Sequence, residues 1–188
     1  MDALTLLHSR NSAPKLTTPA PSGKVLEGIL SAALRAPDHA RLRPWRFMLI
    51  EGDARHQLGD LFARAAKQRD PQLSEAGINK SQNHPLRAPL LIVVIASIQA
   101  HPKVPRDEQL LSAGCAAHSI LLAAHAEGFA GIWRTGINAI DPVVKAGLGL
   151  AEHEELVGYL YVGSIEGKYK PLDDLLLEDF VSHWRGEK

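Results

Sequence analysis

One strongly apolar segment constrains the fold more than any other part of the sequence. It runs from Ser112 to Ala124 and carries small or apolar side chains at nearly every position. The stretch from Asp107 or Glu108 to Glu127 predicts one long helix, closed by Gly128. A helix that is apolar on all sides must be covered on all sides, not only where it faces a sheet. A second copy of the chain would supply that cover, and a central helix within one chain is the alternative.

Length and charge point to one self-sufficient domain over residues 1–188. The chain has 188 residues, of which 45% are hydrophobic, and this is enough for one core without disulfides. Its 21 basic and 21 acidic side chains balance, which disfavours nucleic acid and anionic membrane as partners. No apolar run is long enough to span a bilayer. The start at Met1 lacks the features of a signal peptide, so we expect a cytoplasmic protein.

Helical and strand patterns alternate along the chain. Strands are predicted at 45–51, 90–95, around Ile132 and Trp133, and at 156–162. Helices are predicted at 2–9, from Ser22 to before Pro37, at 54–67, over the long apolar segment and at 142–148. The region between about Lys67 and Pro85 is polar and reads as irregular. The pattern predicts an α+β fold with a mixed central sheet covered by helices.

Two distant segments each place an arginine beside a hydroxyl. The first contains Arg10 and Ser12, and the second contains Arg134 and Thr135. A guanidinium and a hydroxyl both suit phosphate oxygens, so our starting hypothesis is one phosphate held from two ends. The alternative for the first segment is a solvated helix terminus.

Several short motifs together resemble the nitroreductase family of FMN enzymes, in particular its small bacterial members. No single motif is specific, but their order and spacing cover nearly the whole chain. The motifs lie at residues 2–4 with 10–12, 35–39, 44–45, 87–89, 103–106, 112–116, 128–136 and 157–163.

The resemblance implies a nitroreductase-like fold that forms an intertwined homodimer with FMN at the subunit interface. It implies an oxidoreductase that takes hydride from NADH or NADPH and reduces nitroaromatic, quinone or similar acceptors by a ping-pong mechanism. The cofactor supplies the redox chemistry, so no catalytic side chain is expected. A region resembling a mobile cover over the pocket falls between about Lys67 and Pro85.

The resemblance also assigns site residues. It implies FMN contacts by Arg10, Asn11, Ser12, Arg35, His39, Trp133, Arg134 and Thr135, with His39 reaching across from the other subunit. Asn11 replaces an arginine of the family motif and loses a charge, for which Arg134 is the expected substitute. NAD(P) is expected near Ala123, Ala124, His125, Ala126, Glu127 and Gly128.

Alternatives remain open for several of these residues. Asp38 and His39 also fit a polar turn after Pro37, and the segment after Leu122 also fits plain helix packing. Cys115 and His118 are spaced like a thiol and its base, but an apolar helix interior would make the thiol inert. No ligand cluster for a metal is recognisable.

Two other functions fit the same resemblance. One is a flavoenzyme of the same fold with different chemistry, such as reductive dehalogenation or flavin ring cleavage. The other is a non-catalytic FMN-binding module.

Overall fold

A computed structural model describes residues 1–186 and contains seven α-helices and five strands within that range. The helices are α1 (Ala3–Ser9), α2 (Gly23–Ala33), α3 (Ala54–Arg69), α4 (Glu75–Gln82), α5 (Arg106–Ala126), α6 (Ile137–Ile140) and α7 (Pro142–Gly147). The strands are β1 (Leu16–Thr17), β2 (Trp45–Glu51), β3 (Leu90–Ser97), β4 (Ala130–Arg134) and β5 (Glu154–Ile165). Among these residues, none of the helices combines the length and apolarity needed to cross a bilayer.

The long strand β5 organises the sheet. It pairs with β1, β3 and β4, and β2 pairs with the other side of β3. All of these pairings are antiparallel. The expected mixed character is confined to one isolated parallel bridge between Ser12 and Gly131. The prediction of a sheet covered by helices is confirmed, and the α+β class with it.

Strand β3 divides the interior into two cores. Leu91, Val93 and Ile95 face one cluster with α3 and α7, whereas alternate residues such as Ile92 and Val94 face a second cluster with α2 and α5. All of β3 from Leu90 to Ala96 is fully buried, as a strand covered on both faces must be. The fold is therefore two helical layers around one sheet.

Helix α5 is covered on one side only. Ala113, Ala117 and Ile120 on its inner face are fully buried. On the outer face Cys115 and His118 are exposed, and Leu111 is 70% exposed. The expectation of a helix buried all round is therefore wrong for the single chain, because residues 1–186 of one chain leave this stripe open.

The region from Lys67 to Pro85 is more regular than expected. Helix α3 extends to Arg69, and α4 follows after a turn in which the Ser74 hydroxyl accepts from the Gly77 N–H. Helix α4 packs against α3, and the Gln82 side chain donates to Asp60 at 2.9 Å. Tertiary packing against α3 thus orders a segment whose polar composition gave no clear helical signal.

The chain after β5 runs across the surface without regular packing. Residues 166–186 are exposed throughout, although several are large and apolar. Phe180 is 70% exposed and Trp184 is 88% exposed. Two hydrogen bonds hold the start of this segment. The Glu166 N–H donates to the Lys15 carbonyl at 3.2 Å, and the Asn11 amide donates to the Lys170 carbonyl at 2.9 Å.

Two glycines lie beside the Trp133 side chain, and only one of them is needed to make room for it. Trp133 lies on the α5 side of β4 and donates from Nε1 to the Val157 carbonyl at 3.3 Å. A Cβ placed on Gly158 would collide with the indole nitrogen, whereas a Cβ on Gly114 would lie 3.8 Å from the ring, at ordinary contact distance. Gly158 thus allows the close approach of β4 and its tryptophan to β5.

We therefore predict opposite responses to alanine at these two glycines. Gly158→Ala should lower the free energy of unfolding by about 1–3 kcal/mol because the indole must move from an overpacked site. Gly114→Ala, the matched control, should be neutral or stabilising by up to about 1 kcal/mol, because it removes a helical glycine. Urea unfolding of both variants checks this, and equal tolerance would contradict the packing described.

A partly buried ion pair joins β2 to β5. The Arg46 guanidinium donates from Nε and Nη2 to both Glu154 oxygens, at 2.5 and 2.7 Å, and the Glu154 carboxylate is nearly buried. These hydrogen bonds hold the pKa of Glu154 at about 2, against the opposing effect of burial. The neighbouring pair of Arg106 with Glu155 is considerably more exposed.

We predict that Glu154→Gln lowers the free energy of unfolding at pH 7 by about 1–2 kcal/mol, because it removes the charge from a bidentate pair in which the carboxylate is buried and the Arg46 side chain is partly exposed. The control Glu155→Gln should cost less than about 1 kcal/mol. A lowered pKa stabilises the folded state above the unfolded value of 4.5, and this contribution is lost as pH falls towards 2. Urea unfolding at pH 7 and pH 3 should show the gap between wild type and Glu154→Gln shrinking in acid.

Candidate functional site

The first predicted segment lies where α1 meets the end of α5 and the start of β4. Ser9 Oγ lies 3.1 Å from His125 Nε2, and Arg10 is close enough to His125 to help lower the pKa of that imidazole, after the larger effect of burial. Ser12 bridges to Gly131, and the Ala13 N–H donates to the Gly131 carbonyl at 3.1 Å. The segment is therefore fixed to the body of the fold and is more than a solvated helix terminus.

A small cationic cavity opens beside Ser12, and we call it the lysine cavity. Its volume is about 210 Å³, and it is lined by Ser12, Ala13, Pro14, Lys15, Ile165, Glu166, Lys168, Tyr169 and Lys170. Three of these residues are lysines and one is a glutamate. Arg10 lies nearby, since it partly offsets the rise that burial causes in the pKa of Tyr169. The cavity thus offers several cations beside a hydroxyl, which suits a phosphate.

Asn11 has a structural role in this arrangement. Its Oδ1 accepts from the Ser12 N–H at 2.8 Å, and its Nδ2 donates to the Lys170 carbonyl. Both ends of the amide are therefore used to hold Ser12 and the segment after β5 in place. Lys168 and Lys170, which the sequence analysis did not single out, line the same cavity as Ser12. The available signal was a pair of lysines that flank Tyr169 shortly after the last strand.

The second predicted segment lies at the other end of β4 and lines a different cavity. We call it the arginine cavity; its volume is about 360 Å³. Its lining is Phe62, His84, Arg87, Trp133, Arg134, Thr135, Gly136, Asn138, Tyr159 and Tyr161. The Arg134 guanidinium lies 5.6 Å from the Tyr161 ring centroid, a cation–π arrangement. Ser12 and Arg134 thus line separate cavities, although Ser12 pairs with Gly131 at the start of the second segment. The hypothesis of one phosphate held by both segments stays a prediction.

Positive charge dominates the arginine cavity. No carboxylate lines it, and within residues 1–186 neither Arg87 nor Arg134 forms a salt bridge. Burial lowers the pKa of His84, and the nearby Arg87, Lys80 and Arg134 lower it further. Burial raises the pKa of Tyr161, against the two arginines, so its hydroxyl stays protonated. The sequence analysis did not single out His84, because its position beside Arg134 depends on how the chain after α4 packs near β4.

Two buried polar atoms in this cavity have no hydrogen-bond partner among the described residues. They are Nε of Arg134, a donor, and Oδ1 of Asn138, an acceptor. Both atoms are inaccessible to solvent, so they lie behind the accessible surface of the cavity. A flavin carries a phosphate and a polar ring edge, and the donors of the two cavities fit those groups.

The remaining predicted FMN contacts lie at the opposite end of α5. Ser112 hydrogen-bonds to the Pro37 carbonyl at 2.5 Å, which places Arg35 beside the first half of the helix. His39 Nδ1 lies 2.7 Å from Glu108 Oε2. Because Arg10 lies at His125, seventeen residues further along α5, the two groups are separated by about 25 Å along the helix axis.

The loop that carries His39 is tightly constrained. The Asp38 carboxylate accepts from the Leu42 and Arg43 N–H groups, so Asp38 forms the polar turn that was one of its two interpretations. Ala40, Arg41 and Arg43 all adopt positive φ values between 50° and 61°. Non-glycine residues in this region are strained, and the surrounding contacts must hold them there.

The segment expected near NAD(P) forms the end of α5. Gly128 adopts a φ of 82° and closes the helix, with the Phe129 N–H donating to the Ala124 carbonyl at 2.8 Å. Ala124 is fully buried, while Ala126, Glu127 and Gly128 are exposed. The buried Ala124 fits the helix-packing interpretation, and a nucleotide contact by the exposed residues stays a prediction.

Cys115 is not in an apolar interior, contrary to our expectation. Both Cys115 and His118 are exposed on the outer stripe of α5, next to Leu111. The expectation failed because the apolar composition of α5 predicts that the helix is buried, but it does not say whether residues of the same chain bury its outer face. No group of three potential metal ligands occurs within residues 1–186.

Comparisons with known proteins agree with this architecture. The chain is 44% identical over 164 residues to YdjA of Escherichia coli strain K12, which bears a provisional NAD(P)H nitroreductase name, with 87% of this chain and 88% of YdjA covered. A nitroreductase-like family protein from Bacillus cereus superposes with a TM-score of 0.84 at 22% identity, covering 99% and 97% of the two chains. A provisionally named nitroreductase from Desulfovibrio desulfuricans, solved in complex with FMN, has a TM-score of 0.75 at 21% identity, covering 97% and 98%.

The family model described as "Nitroreductase family" matches residues 7–164, from α1 almost to the end of β5. This range contains the strand β4 with its two flanking segments, the loop of His39 and the whole of α5. The order of motifs that suggested the resemblance therefore reflects common descent, and the chain belongs to the nitroreductase family.

Proposed function

We propose that this protein is an FMN-dependent oxidoreductase that takes hydride from NADH or NADPH and reduces nitroaromatic, quinone or similar acceptors. The observation that carries the proposal is the pair of cationic cavities at the two ends of β4. The FMN complex of the D. desulfuricans relative in the same fold and the NAD(P)H nitroreductase name of YdjA support it.

The spacing of the cavities suits one FMN molecule. Ser12 pairs at Gly131, and Arg134 lies three positions further along β4, which is a distance of about 10 Å. A phosphate in the lysine cavity leaves the ribityl chain to follow β4 and the ring system to reach the arginine cavity. In this arrangement the phosphate is contacted by Arg10, Ser12, Lys168 and Lys170. Arg134 would contact the ring system instead of the phosphate.

The residues of this chain have binding and electrostatic roles in the reaction. The chemistry that FMN supplies when bound is hydride uptake from NAD(P)H followed by reduction of an acceptor, in alternating half-reactions. Arg87 and Arg134 place positive charge where a reduced ring would gain electron density, and so favour reduction. Neither the lining of the arginine cavity nor that of the lysine cavity contains a serine–histidine or cysteine–histidine pair. The proposal therefore assigns no nucleophile to the protein.

We further propose that the working form is a homodimer packed through the outer stripe of α5. In one chain, His39 lies about 25 Å along α5 from Arg10, which is beyond the reach of a single FMN. An antiparallel pairing of two α5 helices would bring His39 of one chain towards Arg10 of the other. The exposed Leu111 and the apolar residues of 166–186 also need such cover.

The visible spectrum of the purified protein tests the enzymatic proposal. After FMN addition and desalting, the protein should stay yellow, bleach with NADH or NADPH under anaerobic conditions, and recover its colour when a quinone or nitroaromatic is added. Retained colour without bleaching would indicate a flavin-binding module instead. Loss of the flavin on desalting would contradict both.

We predict that the double substitution Lys168→Ala with Lys170→Ala raises the Kd for FMN at least about tenfold, since it removes charge-assisted phosphate contacts. Riboflavin, which has no phosphate, should bind wild type and variant alike. Lys24→Ala on the exposed start of α2 is the matched control and should change neither affinity. Flavin fluorescence quenching gives the Kd of each of the three proteins for FMN and for riboflavin. An equal loss of affinity for the two flavins in the double variant would place the phosphate elsewhere.

A mixing experiment tests the shared site. Arg10→Ala and His39→Ala homodimers should both bind FMN weakly, because every site lacks one contact. After subunit exchange, each heterodimer should contain one intact site and one doubly altered site. In an equimolar, fully exchanged mixture half of the dimers are heterodimers, so about a quarter of all sites should regain wild-type affinity. FMN titration of the mixture measures this fraction. A mixture that behaves as the average of its two parents would contradict a site built from two chains.

A further inference from the structure

Two arginines in the loop after His39 carry positive charge that the described residues do not balance. Arg41 and Arg43 are both exposed, and neither forms a salt bridge within residues 1–186. The chain as a whole is neutral, with 21 basic and 21 acidic side chains, so this excess is local. Two guanidinium groups so close in sequence suit an anion that can accept several hydrogen bonds, such as a phosphate.

The backbone holds both arginines in an unfavourable conformation. Their φ values are 55° and 50°, in the left-handed region that residues with a Cβ rarely adopt. The Asp38 carboxylate accepts from the Leu42 and Arg43 N–H groups at 3.1 and 2.8 Å, and the Gln99 amide donates to the Leu42 carbonyl at 2.8 Å. Strained residues that their surroundings hold in this way cluster at ligand-binding sites. The loop is therefore a rigid platform for its two arginines.

The proposed homodimer places this loop near the other chain's nucleotide segment. The Ser112 hydroxyl donates to the Pro37 carbonyl, which fixes the start of the loop to the first half of α5. Residues 123–128, where NAD(P) is expected, form the end of the same helix. In an antiparallel pair of α5 helices, the first half of one helix lies against the end of the other. The loop of one chain and residues 123–128 of its partner then border the same flavin site.

The nucleotide segment has no cation of its own for an additional phosphate. Glu127 is exposed and negatively charged near neutral pH. Burial lowers the pKa of His125, and the nearby Arg10 lowers it further, so this imidazole is mostly uncharged at neutral pH. The proposed function already uses Arg10 for the FMN phosphate. NADPH differs from NADH by one phosphate monoester on a ribose 2′ oxygen, which carries about −1.5 to −2 charge near pH 7. That charge needs cations from elsewhere.

We propose that Arg41 and Arg43 of one chain bind the 2′-phosphate of NADPH at the flavin site of the other chain, and so make the protein prefer NADPH to NADH. This inference rests on the proposed function and on the proposed homodimer. Each guanidinium can donate two parallel hydrogen bonds to the phosphate, and NADH offers no acceptor at that position. The two arginines thus determine the nucleotide specificity.

Anaerobic reduction of the FMN-loaded protein, followed at varied NADPH and NADH concentrations, tests the inference. The second-order rate constant for flavin reduction should be at least about tenfold larger with NADPH, which corresponds to loss of a charge-assisted contact in NADH. In the double variant Arg41→Ala with Arg43→Ala, the NADPH rate should fall to within about twofold of an unchanged NADH rate. Arg64→Ala, which removes an exposed arginine from α3, is the matched control and should keep the preference.

Nucleotide binding gives a second readout that needs no turnover. By calorimetry, the FMN-loaded wild-type protein should bind 2′,5′-ADP at least about tenfold more tightly than 5′-AMP, which lacks the 2′-phosphate. The double variant should bind the two nucleotides alike. Its Kd for FMN should equal that of wild type, which shows that the fold and the flavin site are intact.

Subunit exchange tests whether the loop acts on the other chain's site. The double variant is mixed in equal amounts with Arg10→Ala, and FMN is added at a concentration that fills only sites with an intact Arg10. Half of these sites then belong to heterodimers, in which the Arg10→Ala chain supplies an intact loop. About half of the bound flavin should therefore react with the wild-type preference for NADPH. A complete lack of this fast phase would show that each loop serves its own chain, and would overturn the inference.

The other outcomes are equally decisive. Equal rates of reduction of the wild-type protein by NADPH and NADH would overturn the inference, and this measurement needs no variant to fold. A preference that survives in the double variant would also overturn it, because other groups would then hold the 2′-phosphate. An equal loss of rate with both nucleotides would place the arginines on a group that NADH shares. A flavin that neither nucleotide reduces would instead overturn the proposed function, and the inference with it.

Discussion

The antiparallel pairing of β4 with β5 is the interaction on which the site depends. Its register places Trp133 on the α5 side of the sheet and Arg134 on the α3 side, since successive residues of a strand face opposite ways. The same pairing holds Gly131 where Ser12 can bridge to it. One short strand therefore connects the lysine cavity to the arginine cavity, and any change in register would separate them.

Helix α5 links the fold to the assembly. Its inner face completes a core against the sheet, and its outer stripe is left open by the described residues of the same chain. The segments at its two ends carry Arg10 near His125 and His39 beside Glu108. In the proposed homodimer, pairing of the outer stripes both removes apolar surface from water and completes two flavin sites. Stability and cofactor binding would then be coupled through mass action.

Local patterns predicted most of the fold and only part of the site. The strand at Trp45–Glu51 and the helix ended by Gly128 lie where side-chain periodicity and capping placed them. Helix α4 was missed because it depends on packing against α3. Four residues that line the cavities were not predicted: Lys168, Lys170, His84 and Asn138. They lie near Ser12 or Arg134 because of the sheet register and the tertiary path of the chain, which no short sequence pattern encodes. The outer stripe of α5 was mispredicted for a related reason. Its apolar composition indicates that the helix is covered, but it does not indicate whether the same chain or a second chain covers it.

Sedimentation velocity, with protein and flavin absorbance recorded together over a dilution series, tests whether two chains are needed to complete one flavin site. A site completed by two chains predicts that flavin absorbance moves only with the dimer and is lost as dilution produces monomers. Added FMN should likewise shift the equilibrium towards the dimer, because binding and association are linked. Flavin that sediments with a monomer at undiminished occupancy would show that one chain holds FMN by itself, and would contradict the account.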